Sequence, residues 1–186
     1  MRRLFCCLVV FFFLGGCGSS IEPMDKALAL RSKLQQSEGC EFVAVVTADY
    51  FDKVQSFALQ CTGDTSGNIT FQVLEPSSVA GISGRIDSRG GKLTFDEQAL
   101  LFSLMAETRI SPVGAPWILL QALRAGYIRG CSDADGVLTI HIDDTFGDDA
   151  LQLIVRTNSE NVLVSAEIFH QERRILTVQI EQFVYL

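Results

Sequence analysis

The distribution of apolar and polar residues predicts one helix followed by a long run of strands. From Pro23 to about Gln36, apolar residues recur at helical spacing, and proline is a favoured first residue of a helix. Short apolar segments then alternate with turns that are rich in glycine, serine, aspartate and proline, which is typical of antiparallel strands. Residues 97–105 fit either a strand or a short helix. The predicted strands are 41–48, 55–62, 68–75, 80–87 and 92–96.

The remainder of the chain predicts a second helix and four more strands. The helix begins at Pro116, runs to about Tyr127 and is apolar on nearly all sides, which is typical of a helix buried on more than one face. Nine or ten antiparallel strands make a sheet about 43 Å wide, and two helices cover only about half of it. The sheet is therefore expected to curl around the helices as a half-barrel, giving an α+β fold. The predicted later strands are 137–143, 150–157, 163–170 and 175–185.

The first residues of the chain have the pattern of an export signal. Two arginines precede an unbroken apolar run from Leu4 to Leu14, and two glycines and Cys17 follow. A basic start, an apolar core and small residues at its end are typical of a secretory signal peptide. The apolar run is shorter than the roughly 20 residues that a membrane-spanning helix needs. The alternative to a lipoprotein is an ordinary secreted protein, in which Cys17 has no special role.

The segment from Leu14 to Cys17 resembles the lipobox of bacterial lipoproteins. The resemblance implies removal of residues 1–16 and attachment of a diacylglyceryl group to the thiol of Cys17. Residues 17–22 then form a lipidated tether, and residues 23–186 form a single domain. Two acyl chains hold a protein on a membrane far more firmly than one chain does. The protein is therefore predicted to be exported and anchored to the extracytoplasmic face of the cell membrane.

Charge and motif content narrow the possible activities. The chain has 22 acidic and 15 basic residues, and without residues 1–16, which hold two of the arginines, 13 basic residues remain for a net charge of −9. That excess of acid disfavours a nucleic-acid partner, because binding to phosphates relies on clustered lysine and arginine. The sequence lacks the motifs of serine hydrolases, zinc proteases and nucleotide-binding loops. We therefore predict a protein that is not an enzyme and has no cofactor, with an envelope hydrolase as a distant alternative.

Aspartates are concentrated in two predicted hairpin turns. A calcium site is one interpretation, but the ligand spacing of the EF-hand is absent. Asp135-Gly136 is instead a common hairpin-turn signal, so solvated turns without a metal ion are predicted. The clustered residues are Asp133, Asp135, Asp143, Asp144, Asp148 and Asp149.

Three cysteines lie in the predicted domain. A hairpin centred between Tyr50 and Phe51 would place Cys40 directly opposite Cys61, close to the distance that a disulfide spans. Exported compartments permit disulfides, so a bond between Cys40 and Cys61 is predicted, with two reduced, half-buried thiols as the alternative. Cys131 lacks a neighbouring histidine in the sequence, and no role is predicted for it.

The order of the elements is similar to that of a known superfamily. A glycine–strand–proline segment covers residues 67–76, a turn and aromatic strand cover 88–96, and a proline-initiated inner helix covers 111–120. This order resembles the superfamily of the periplasmic lipoprotein carrier and the outer-membrane lipoprotein receptor (LolA/LolB-like proteins), which also includes mycobacterial lipid-binding lipoproteins. The resemblance implies a half-barrel whose concave apolar face is covered by helices and binds acyl chains. The arginine that the carrier family usually has after the proline is replaced here by residues 79–82, so a latch made by that arginine is not carried over.

Two functions follow from a curled sheet with an apolar interior. The predicted function is binding of a lipid or another apolar ligand in the concave face without catalysis. The alternative is an interior filled by the helices, in which case the domain is an interaction or scaffold module of an envelope protein complex. An apolar pocket of about 300 Å³ or more would favour the ligand. The apolar side chains proposed to line such a pocket are equally consistent with an ordinary packed core. The candidate lining consists of Phe42, Phe57, Phe71, Trp117, Leu120 and Leu123.

Overall fold

A computed structural model describes residues 22–50, 53–95, 98–102, 105–106 and 109–186. The predicted signal peptide and Cys17 lie outside these residues. Helix α1 covers Pro23–Gln36, and helix α2, Ala115–Ala125, follows a short 3-10 turn. The strands are β1 Gly39–Asp49, β2 Val54–Asp64, β3 Ile69–Glu75, β4 Ser83–Asp87, β5 Gly90–Phe95, β6 Gln98–Phe102, β7 Met105–Ala106, β8 Arg109–Ile110, β9 Tyr127–Ala134, β10 Val137–Asp143, β11 Gln152–Thr157, β12 Leu163–His170 and β13 Arg173–Tyr185.

Eleven strands form one antiparallel sheet that curls without closing. Their order is β6-β5-β4-β3-β2-β1-β13-β12-β11-β10-β9, and β7 and β8 form a separate small pair. The first and the last long strands, β1 and β13, pair at the centre and join the two halves of the chain. Strands β6 and β9 stand at opposite edges. This arrangement confirms the predicted α+β fold, a curled antiparallel sheet with an N-terminal helix and a buried inner helix.

The two faces of the sheet differ in polarity because strand residues alternate between them. Along β1, the side chains of Cys40, Phe42, Ala44, Val46 and Ala48 are buried, while the intervening residues are more exposed. The buried side chains contact the helices and make one continuous core. The helices therefore occupy the concave side of the sheet.

Polar contacts fix the two helices to each other. Arg31 of α1 donates hydrogen bonds from Nε to the carbonyl oxygen of Leu123 and from Nη2 to that of Gly126, each over 2.7 Å. These carbonyls lie at the end of α2, where the helix itself leaves them without partners. Arg124 of α2 in turn donates to the carbonyl oxygen of Thr65, in the turn that follows β2, over 2.7 Å. The end of α2 is thus held from two sides.

The predicted register of the β1–β2 hairpin was wrong by two residues. Cys40 pairs with Gly63, and Cys61 pairs with Phe42. The turn lies later than predicted, because Asp49 is still paired in the ladder, so that the numbers of paired residues sum to 103 instead of 101. Cys40 and Cys61 are free, buried thiols, and the predicted disulfide is absent.

Candidate functional site

Four of the six predicted ligand-lining residues are buried inside the half-barrel. Phe42 and Leu120 are 1% exposed, Leu123 is 2% exposed and Phe71 is 3% exposed. A side chain on the wall of a cavity wide enough for an acyl chain would keep surface that a water-sized sphere could reach. Phe57 and Trp117 are only partly buried and pack against the outside of this core. Four of the six residues are therefore core, and Phe57 and Trp117 lie partly exposed beside it.

Helix α2 fills the space where a ligand was expected. It packs so closely on the end of β2 that a Cβ atom added to Gly63 would lie 2.9 Å from Cδ1 of Leu120. Such a distance leaves no layer of a second molecule between helix and sheet. Between α2 and the end of β2, the concave face is thus closed by the protein itself. The buried residues of α2 are Ala115, Pro116, Ile118, Leu119, Leu120, Ala122 and Leu123.

An open cleft of about 530 Å³ lies outside the core, at the end of the sheet where β10 leads into a loop. Tyr127 and Phe146 form its aromatic wall, with ring centroids 5.4 Å apart and planes inclined by 46°. Phe146 is 87% exposed and Tyr127 is 52% exposed. Asp143, Asp148 and Glu172 add carboxylates to the lining. The cleft therefore combines exposed aromatic surface with negative charge.

The loop that carries Phe146 is held by Asp144. Oδ1 of Asp144 accepts hydrogen bonds from the backbone N–H of Leu151 over 2.7 Å and from Oγ1 of Thr145 over 3.2 Å. The backbone N–H of Asp144 also donates to the carbonyl oxygen of Leu151 over 3.0 Å. These bonds join the two ends of the loop and present Phe146 toward Tyr127.

The clustered aspartates separate into different structural roles. Asp133 forms an ion pair with Lys26 that joins β9 to α1, and the hydrogen bond from Lys26 lowers the pKa of Asp133. Oδ1 of Asp143 is buried and lies 3.2 Å from Nε of Arg129, but it accepts no hydrogen bond from a described residue. Within the described ranges, no three histidine, cysteine, aspartate or glutamate side chains are grouped as a metal site.

A second cleft, of about 360 Å³, lies beside Gly84, where β4 pairs with β3 and β5. Its wall includes the polar side chains of Thr70, Arg85 and Lys92. The guanidinium of Arg85 is already engaged by Asp64, with Nη2 and Oδ2 3.1 Å apart. The aromatic residue of this cleft, Phe71, is nearly buried. We therefore regard the Tyr127–Phe146 cleft as the more distinctive surface.

The cysteines do not have the properties of nucleophiles. Burial raises the pKa of Cys40 to about 11 and also raises the pKa of Cys61. Burial raises the pKa of the half-exposed Cys131 as well, and the charge of Arg31 only partly offsets that effect. Because the thiolate is the reactive form, these thiols are poorly suited to covalent catalysis at neutral pH.

The sequence analysis did not single out Tyr127 or Phe146. Tyr127 was expected at the end of a helix, and Phe146 lies in a stretch that was interpreted only as a turn. The available signal was a single aromatic residue among threonine, glycine and aspartate in residues 145–149. A large apolar side chain in an otherwise polar turn has no core to enter, so its presence there indicates an exposed contact surface.

Comparison with known proteins identifies the fold. No family model matches the sequence, and no curated protein matches it. An outer membrane lipoprotein-sorting protein domain from Vibrio parahaemolyticus superposes with a TM-score of 0.50 at 6% identity, covering 87% of this chain and 91% of that one. A LolA superfamily protein from Nitrosomonas europaea superposes with a TM-score of 0.48 at 11% identity, covering 84% of this chain and 92% of that one. The lipoprotein LppX from Mycobacterium tuberculosis superposes with a TM-score of 0.43 at 11% identity, covering 87% of this chain and 92% of that one.

The described helices bear on how the domain relates to a membrane. Neither α1 nor α2 is long and apolar enough to cross a bilayer.

The likeness to the Vibrio domain spans almost the whole described chain. Because only 6% of the residues are identical, the likeness concerns the arrangement of the backbone alone. The chain thus shares the fold of that domain, an antiparallel half-barrel that packs over its own helices.

Proposed function

We propose that the protein is a membrane-anchored, extracytoplasmic lipoprotein that acts without catalysis as an interaction module of a cell-envelope protein complex. The filled interior is the observation that carries this proposal. Phe42, Leu120 and Leu123 are at most 2% exposed, so the part of the concave face that these described residues form has no ready-made site for an acyl chain. Binding must then use the outer surface of the domain.

The energies involved support a closed interior. Displacing α2 would expose four large apolar side chains, at about 1.5–3 kcal/mol each, or roughly 6–12 kcal/mol in total. Burying an acyl chain of about 16 carbons stabilises the complex by about 12 kcal/mol. The exchange therefore leaves roughly 0–6 kcal/mol of net affinity, so at least half of the gain is spent on moving α2. The cost alone is comparable with the whole stability of a typical domain, about 5–15 kcal/mol.

Membrane anchoring is supported by the lipobox-like segment that ends at Cys17. A tether of residues 18–22 spans at most about 18 Å, because an extended residue covers about 3.5 Å. Helix α1 begins at Pro23 and would therefore lie close to the lipid headgroups.

Metabolic labelling with an alkyne analogue of palmitate tests the anchor. We expect the wild-type chain to be labelled and to sediment with membranes. The Cys17→Ala variant should remain unlabelled. A wild-type chain that is exported but unlabelled would contradict the anchor and leave an ordinary secreted protein.

Binding of a lipid or another apolar ligand in the concave face is the second candidate. It is favoured by the fold that the chain shares with a domain described as lipoprotein-sorting. It requires α2 to leave the sheet, because the helix occupies the ligand's place. The two candidates thus differ in the behaviour of one helix.

Hydrogen exchange followed by mass spectrometry separates the two candidates. The interaction module predicts that α2 amides exchange as slowly as those of β1, because both open only when the domain unfolds. An internal binding site predicts that α2 opens alone and exchanges faster than β1. Addition of dispersed membrane lipids should leave α2 exchange unchanged in the first case and alter it in the second.

A further inference from the structure

We propose that the cleft between Tyr127 and Phe146 binds a basic side chain, a lysine ammonium or an arginine guanidinium, of a protein partner. This inference rests on the proposed function, because it assigns the contact site of the interaction module. It depends on three features of the described residues: the aromatic wall, the charge of the lining and the position of the cleft.

The aromatic wall suits a cation. The rings of Tyr127 and Phe146 are inclined by 46° with their centroids 5.4 Å apart, and both remain substantially exposed. The faces of aromatic rings attract ammonium and guanidinium groups, and two inclined rings offer such a group more than one contact. Exposure of Phe146 is unfavourable in an isolated domain, since no core contact compensates for it.

The charge of the lining has the matching sign. The lining contains the carboxylates of Asp143, Asp148 and Glu172, and neither lysine nor arginine occurs among its described residues. Arg129 lies beside Asp143 and partly offsets its charge, while Asp148 and Glu172 have no ion pair among the described residues. The predicted domain as a whole carries a net negative charge, which attracts a cationic partner at long range.

The loop provides a preformed surface. Asp144 closes it through bonds to Leu151 and Thr145, so Phe146 is presented on a short, internally bonded turn. A preformed surface loses less conformational entropy on binding than a disordered one.

The cleft lies away from the start of α1, to which the proposed anchor would connect. Lys26, near the start of α1, pairs with Asp133 toward one end of β9, and Tyr127 is the residue at the other end. Six residues of strand separate these points by about 20 Å. The cleft is therefore remote from the start of the domain, where the proposed anchor would lie.

NMR titration of the mature chain carrying Cys17→Ser tests this site. The probes are Nα-acetyl-lysine methylamide and Nα-acetyl-arginine methylamide, with the neutral citrulline analogue as the matched control. We expect saturable shifts of the Tyr127 and Phe146 resonances with both cations, weakened by added salt. The citrulline analogue should cause at most small, unsaturated shifts.

Two variants make the result specific. Phe146→Ala should weaken cation binding about tenfold without affecting the fold, because the ring is almost fully exposed. Val54→Ala removes another exposed apolar side chain, at the start of β2, and should leave binding unchanged. Asp148→Asn should weaken binding and reduce its salt dependence.

Defined outcomes would overturn the assignment. Equal shifts with citrulline, or unchanged affinity in Phe146→Ala, would show that no cation site exists there. Binding to phosphatidylethanolamine vesicles without binding to a lysine-containing peptide would replace the protein partner by a lipid headgroup. None of these results depends on whether α2 opens, so failure of this site is distinguishable from failure of the interaction-module proposal.

Discussion

Gly126 joins the end of α2 to the start of β9 and has no room for a side chain. A Cβ atom there would lie 2.6 Å from the carbonyl oxygen of Ala122, 2.6 Å from Cγ2 of Ile142 and 2.9 Å from the carbonyl oxygen of Asp143. Two of these atoms belong to the backbone and cannot turn aside. We expect Gly126→Ala to lower the free energy of unfolding by about 1–3 kcal/mol, measured by urea denaturation.

Gly130 provides the control for this substitution. It lies on the adjoining strand β9, and a Cβ atom there would have no neighbour within 4 Å. Gly130→Ala should be neutral or slightly stabilising, by up to about 1 kcal/mol, because alanine restricts the unfolded chain. Equal losses from the two substitutions would contradict the close packing at the α2–β9 junction.

The thiols give a second prediction at the residue scale. Under native conditions, iodoacetamide should label Cys131 slowly and leave Cys40 and Cys61 unmodified, since the last two are buried and burial raises their pKa. In urea, all three thiols should react. If only one thiol reacts in urea until a reductant is added, a disulfide is present and the free-thiol state described here is contradicted.

The cysteine pairing shows which information the sequence lacks. Both strands and their turn were predicted, but the register depends on where the turn lies. Asp49 was expected in the turn and is instead paired with Val54. The centre of the turn lies one residue later than predicted, which moves the ladder by two residues and puts Gly63 opposite Cys40. Short polar residues such as aspartate occupy strand ends and turns equally well, so sequence pattern alone does not locate the turn.

At the scale of elements, Glu167 connects three neighbouring strands. From β12 it accepts hydrogen bonds from Arg174 of β13, Nη1 to Oε1, over 2.6 Å and from Arg156 of β11, Nη1 to Oε2, over 3.0 Å. The hydrogen bond from Arg174, joined by that from Arg156, lowers the pKa of Glu167. Because its folded pKa is lowered, the carboxylate stabilises the fold above its unfolded pKa and loses that effect as the pH falls through the folded pKa.

We expect Glu167→Gln to reduce stability by about 1 kcal/mol at pH 7, since partly exposed ion pairs contribute about 0.2–1 kcal/mol each. The difference from wild type should shrink below the ordinary pKa of glutamate, about 4.3, and disappear at lower pH. Urea denaturation at several pH values measures it. The exposed Glu160→Gln should show no such profile. A deficit that stays constant down to acid pH would contradict the ionic origin.

The elements that the sequence revealed are those with one strongly apolar face. Helix α1 and the central strands were predicted within a few residues of their bounds. Strand β9 was missed, because as an edge strand it buries few side chains, and Arg129 and Gly130 interrupt any alternation. An edge strand forms through backbone hydrogen bonds to its neighbour, and those leave little trace in the pattern of apolar residues.

At the scale of the whole molecule, a width argument predicted that the sheet must curl, and it does. The same argument could not decide whether the interior would be filled. The side chains that line a cavity and those that pack a core are of the same types, so Phe42, Phe71 and Leu120 fitted both interpretations. Only the distance between α2 and β2 distinguishes them, and that distance depends on small residues such as Gly63.

The candidate site was correspondingly less predictable than the fold. Tyr127 and Phe146 lie nineteen residues apart, and they meet because β9 pairs with β10 and brings Tyr127 opposite Asp143, just before the loop. That pairing involves the strand that was missed. Contacts that depend on the position of an edge strand and on one loop are therefore recovered only with the structure.

Native mass spectrometry of the mature chain carrying Cys17→Ser tests the central claim most directly. The chain is exported, purified without detergent, incubated with an extract of membrane lipids and weighed intact. A closed interior predicts the mass of the polypeptide alone before and after incubation. A bound acyl species that is lost in a folded variant carrying Leu120→Asn would contradict this account and make the concave face a lipid site.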